Sequence, residues 1–138
     1  MTAVFLDTEF TSPCQHAQLI SLALVSEDGA EFYAELTDYA KENVSGWVWE
    51  NVMPHLSGLN PITRSQLAEQ IRQFLTRFEH VEIWADCCSY DWVLFCELYS
   101  GPAGLPANQP ERGNRGRCPC RLGTVCEGRL GGALTDRG

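Results

Sequence analysis

Gln18-Leu19-Ile20-Ser21-Leu22-Ala23-Leu24-Val25-Ser26-Glu27-Asp28-Gly29-Ala30-Glu31-Phe32-Tyr33-Ala34-Glu35-Leu36 reads as two strands folded back on each other. Gln18 to Val25 is largely apolar, and Phe32, Ala34 and Leu36 alternate with polar or amphipathic neighbours, the period of a strand with one covered face. Asp28-Gly29 lies between them, the strongest short-range hairpin signal, because glycine reaches the positive φ that the turn needs. Upstream, Ala3 to Leu6 is a continuous apolar run, which predicts a strand buried on both faces. Three antiparallel strands in a row are therefore expected.

Downstream the period changes. Ser45 to Val52 carries Trp47, Val48 and Val52 at helical spacing and is stopped by Pro54. Asn60-Pro61 precedes a helix with Leu67, Ile71, Phe74, Leu75 and Phe78 along one face, and Thr63 and Gln66 have capping-box spacing. Val81 to Ala85 predicts a fourth strand, and Ser89 to Tyr99 a second helix ended by Gly101-Pro102. Three strands, helix, strand, helix is a mixed α/β layout with helices on the sheet faces.

The 138 residues fit one domain, and a hydrophobic fraction of 44% is that of a globular chain. Composition breaks near Pro110. Residues 1–110 hold fifteen acidic residues against Lys41, Arg64, Arg72 and Arg77, whereas residues 111–138 hold six Arg, seven Gly and three Cys. The body is thus −11 and the tail +3, and the net −8 disfavours broad, tight binding to long duplexes. With no Ile, Phe, Tyr or Trp and with Gly131-Gly132 interrupting it, the tail is expected to lack fixed structure. Seven Cys without secretory context read as thiols, Cys14, Cys87, Cys88 and Cys96 among them. Cys118, Cys120 and Cys126 fall one short of a structural zinc set. No apolar run is long enough for a membrane, and no signal peptide is recognisable, so a cytoplasmic protein is expected.

Chemistry concentrates at Asp7-Thr8-Glu9, where the first strand ends. Side chains two apart on a strand share a face, so two carboxylates would stand together there. A solvated strand end explains them; a bound cation explains them better, since neither belongs on a buried strand for packing. Asp91 opens the last helix, where the dipole favours a carboxylate, and from there it could be aimed at Asp7 and Glu9. Three convergent carboxylates suit Mg²⁺ or Mn²⁺.

Val4-Phe5-Leu6-Asp7-Thr8-Glu9-Phe10 resembles the first motif of the DEDD 3′–5′ exonucleases, and Ser89-Tyr90-Asp91-Trp92-Val93-Leu94-Phe95 resembles the second. An early Asp-Thr-Glu-Phe, a Tyr-Asp pair after a strand ending in Trp84-Ala85, and Trp47 to Pro54 are similar to the small exoribonuclease-like proteins of bacteria and phages. The resemblance covers roughly residues 3–106. It implies a ribonuclease H-like fold, two divalent metals, and hydrolysis of nucleotides from a single-stranded RNA or DNA 3′ end. Asp7, Glu9 and Asp91 would be the metal ligands and catalytic residues. Thr8 and Phe10 would contact substrate, Phe10 by stacking on the terminal base, with core packing as its alternative. The resemblance is compatible with a homo-oligomer and implies no membrane partner.

That family carries a third motif, a late helix with a fourth Asp preceded by a His or Tyr base. Near the end of this chain only Asp136 is acidic, in a segment too short and Gly-broken for a helix, and the fifth strand usual in the fold is not recognisable after Pro110. Arg-, Gly- and Cys-rich sequence is what a shifted reading of GC-rich DNA would give, so the tail is expected to be out of frame and the domain incomplete. His16, in the loop after Asp7 and Glu9, reads as a plain loop histidine with a substitute base as its alternative. His55 and His80 flank helical segments and need no role. Asp86 reads as a solvated or supporting residue at the mouth of the site, with direct ligation as its alternative. Two other functions compete. A haloacid-dehalogenase-type phosphatase also begins on a strand ending in acids, but it needs Asp-x-Asp and parallel winding. An exonuclease remnant that binds nucleic acid or a partner without cleaving is the stronger rival.

Overall fold

The computed structural model describes residues 2–85 and 88–99. Asp86, Cys87, Asp136, the cysteines of the tail and the whole segment 111–138, with the readings made for them, lie outside the described residues.

Five strands form one mixed sheet: β1 (Thr2–Phe10), β2 (Leu19–Ser26), β3 (Glu31–Leu36), β4 (Pro61–Ile62) and β5 (Val81–Ala85), in the order β4-β3-β2-β1-β5. β1–β2 and β2–β3 are antiparallel, whereas β5 runs parallel to β1 and β4 parallel to β3. The hairpin falls where Asp28-Gly29 predicts it. Gly29 sits at φ +90°, Ser26 and Ala30 exchange hydrogen bonds, and the Ser26 hydroxyl donates to the Asp28 carboxylate. Antiparallel β1–β2–β3 does not match the parallel winding of the phosphatase reading.

Three helices complete the described fold: α1 (Gly46–Asn51), α2 (Arg64–Leu75) and α3 (Cys88–Glu97). The capping box predicted at Thr63 and Gln66 is formed, each side chain bonding the other's backbone N–H. Leu67, Ile71, Phe74 and Leu75 of α2 and Leu94 and Phe95 of α3 pack on Val4, Leu6, Leu22, Leu24 and Ile83, the main core. α1 belongs to a second, smaller cluster, in which Val44, Val48 and Val52 surround Ile20. No helix among the described residues is long and apolar enough to cross a membrane. Of the cysteines whose side chains are described, Cys14 is exposed and Cys96 buried.

Two expectations need correction. The run Ala3–Leu6 is not buried on both faces: Val4 and Leu6 are inside, while Phe5 is 53% exposed. Uniform hydrophobicity concealed the alternation, because one face is packed by α2 and α3 and Phe5 points from the other. β4 was also missed. Two residues bonded to β3 through Glu35 and Leu36 leave no periodicity to read.

Candidate active site

β1 divides its motif between two faces. Asp7 and Glu9 point to the face opposite the main core and line an open concavity of about 350 Å³ with Ser21, Tyr33, Asn51 and His55. Across β2 their Cα partners are Ala23 and Ser21, so small side chains form the floor beside the carboxylates. Asp7 is exposed and Glu9 half-buried. The strand register shifts between Glu9 and Phe10, a bulge of the kind that re-aims side chains at the end of a ladder.

Thr8 points the other way. It is buried, and its Oγ1 donates to Asp91 Oδ1 at 2.5 Å. Asp91 itself is 3% exposed and stands in the first turn of α3, so it reaches β1 from the core side rather than as part of the concavity wall. Asp7 and Glu9 are therefore brought together, while the described contact of Asp91 is with the intervening threonine. Among the described residues no three His, Cys, Asp or Glu side chains are gathered as a metal would need. The donor chemistry of the Asp7–Glu9 pair nevertheless fits a hard divalent cation, which takes carboxylate oxygens and keeps several waters. Phe10 packs against the main core with its ring stacked on Tyr90, centroids 4.9 Å apart.

The far wall of the concavity is fixed from both ends. Thr11, fully buried, accepts from Gln18 N through its hydroxyl, and its carbonyl accepts from Ser45 N at 2.9 Å. Ser45 is the N-cap of α1 and accepts from Val48 N, so the helix begins from the residue that follows Phe10 in the motif strand. Beyond α1, Glu35 holds the loop. Its Oε1 accepts from Tyr33 Oη at 2.7 Å, Ser57 N at 2.7 Å and Gly58 N at 3.0 Å. Burial would raise the Glu35 pKa, but the Tyr33 hydroxyl and the Gly58 and Ser57 amides outweigh it and hold it below the usual range. Burial, reinforced by that carboxylate, raises Tyr33.

His55, read from sequence as a bystander, lines the concavity. Only the path of the turn after α1 brings it there, and no sequence pattern encodes that path. His16 is exposed in the loop after β1 and is not among the residues lining that concavity, and His80 is exposed beside Glu79.

The model of the 3′–5′ exoribonuclease Rv2179c-like domain family matches residues 2–110. The chain is similar to two proteins of Mycobacterium tuberculosis, the 3′–5′ exoribonuclease MT2234.1 of strain CDC 1551 / Oshkosh and the 3′–5′ exoribonuclease Rv2179c of strain H37Rv. Each is 36% identical over 115 residues, covering 77% of this chain. The chain spans 66% of the length of these relatives.

Proposed function

We propose, on the premise that this chain belongs to the Rv2179c-like 3′–5′ exoribonuclease domain family, that it removes nucleotides from the 3′ end of single-stranded RNA by divalent-metal-dependent hydrolysis. The observation that carries the reading is the pair Asp7 and Glu9, side by side on one face of β1 in an open concavity. Two adjacent carboxylates repel each other unless a cation lies between them. In this reading the fold is ribonuclease H-like, and Asp7 and Glu9 hold Mg²⁺ or Mn²⁺, with Asp91 contributing from the α3 side.

When bound, the metal supplies activation of a water molecule and neutralises the charge that builds on the phosphoryl oxygens. The protein's own part is positional. Asp7 and Glu9 fix the cation at the end of β1, and the Thr8 hydroxyl fixes the orientation of Asp91. Ser21, Tyr33 and Asn51 bound the space in which the terminal nucleotide would sit.

The test is Mn²⁺-dependent release of mononucleotides from a 3′-labelled single-stranded RNA, comparing wild type with Asp7→Ala. Release by wild type alone is expected. A second reading, an exonuclease remnant that binds without cleaving, is favoured by the bond that ties Asp91 to Thr8. A folded wild type that binds the strand and releases nothing would establish that reading instead.

A further inference from the structure

We propose that Trp47 is a base-stacking residue for the single strand whose 3′ end lies at Asp7 and Glu9; the inference rests on the exonuclease reading of that site. Trp47 is 66% exposed, although α1 is anchored by Val48 and Val52 and has no packing use for the indole. Residues four apart share a helix face. Trp47 therefore stands one turn from Asn51, which lines the concavity beside the two carboxylates and donates through Nδ2 to the Trp47 carbonyl at 2.8 Å. Trp47 is not itself a lining residue of the concavity; it stands one helical turn outside it, next to the lining residue Asn51.

The charge of residues 1–110 favours a stacking contact. Of the four cations in residues 1–110, three lie on or just after α2, on the opposite side of the sheet. Arg64 bonds the Glu97 carbonyl, Arg72 lies over Tyr99, and Arg77 over Phe74. That leaves Lys41 as the one Lys or Arg in residues 1–110 outside the α2 region, so this part of the chain offers few cations to phosphates beside the site. An aromatic face holds a base whatever the charge of the protein, and does so without regard to sequence. Trp49 supplies an internal control. Two residues along a helix turn it about 200° from Trp47, so it points away from Asn51, and it is 46% exposed.

The experiment is fluorescence anisotropy of a labelled heptameric oligoadenylate RNA in Ca²⁺, which would hold the strand without relying on turnover. Trp47→Ala should weaken binding at least fivefold, the lower end of base–aromatic stacking. Trp47→Phe should recover most of the loss, and Trp49→Ala should stay within twofold of wild type. An abasic strand of the same length should bind wild type as weakly as the heptamer binds Trp47→Ala. Equal binding by Trp47→Ala, or equal loss in Trp49→Ala, overturns the proposal while leaving the exonuclease reading intact. So does sedimentation showing that Trp47→Ala splits a dimer, since the ring would then cover a second copy. A folded wild type that neither binds nor degrades the strand removes both readings together.

Discussion

Replacing Glu35 tests how the concavity wall is held. The carboxylate is 9% exposed and is met by Tyr33 Oη, Ser57 N, Ser57 Oγ and Gly58 N. Hydrogen bonds to a charged group contribute about 1.5–3 kcal/mol each when buried. Ser57 and Gly58 are exposed and regain water when released, so about 1 kcal/mol for each of the three donor residues is the better figure. Glu35→Ala should therefore cost about 3 kcal/mol, or about 12 °C in Tm for a folded body of about 100 residues. Glu35→Gln keeps an acceptor but loses the charge assistance, roughly half the strength, and should cost about 1.5 kcal/mol.

The pH dependence follows from the sign of the shift. The folded pKa lies below the ordinary value of 4.5, so the carboxylate's contribution is complete above the unfolded pKa and is lost as pH falls through the folded one. Urea unfolding followed by tryptophan fluorescence, repeated from pH 7 down to pH 3, should show the gap between wild type and Glu35→Gln closing in acid. Hydrogen exchange at the Ser57 and Gly58 amides should quicken in both variants. A gap below about 0.5 kcal/mol at neutral pH, or one that widens in acid, would refute the reasoning.

Thr8→Val keeps the shape but leaves the buried Asp91 without its hydroxyl donor. It should cost about 1–3 kcal/mol by thermal unfolding, with Thr8→Ser restoring most of it. Thr63→Ala removes half of the α2 capping box and should cost about 1 kcal/mol, with any nucleotide release in the proposed assay unchanged because the cap lies on the far side of the sheet. Leu67→Ala, at a fully buried position, should cost about 2–5 kcal/mol, enough in calorimetry to bring the domain close to unfolding.

What the sequence disclosed follows from what each signal measures. The β2–β3 hairpin, the capped α2 and β5 at Val81–Ala85 were legible because turn chemistry, capping and local apolar runs are nearest-neighbour effects. β1 continues to Phe10 through two carboxylates because β2 pairs with it residue by residue, a constraint invisible to hydrophobic periodicity. The pairing of Asp7 with Glu9 was readable from strand parity alone. The Thr8–Asp91 bond spans 83 positions, and the approach of His55 depends on a loop path. Neither leaves a local trace.

The alternation along β1 makes the site a matter of counting. Asp7 and Glu9 face outward only because Val4, Leu6 and Thr8 face inward, and β2 on one side and β5 on the other fix that count. A slip of one residue would exchange the faces, driving two carboxylates into the packing of α2 and α3 and turning a threonine toward the concavity. A single-residue deletion anywhere from Val4 to Leu6 would therefore act as a lesion of the site, although it removes none of the site's residues. The hydrophobic pattern of the strand protects the chemistry as much as the core: two inward aliphatics hold the acids in phase.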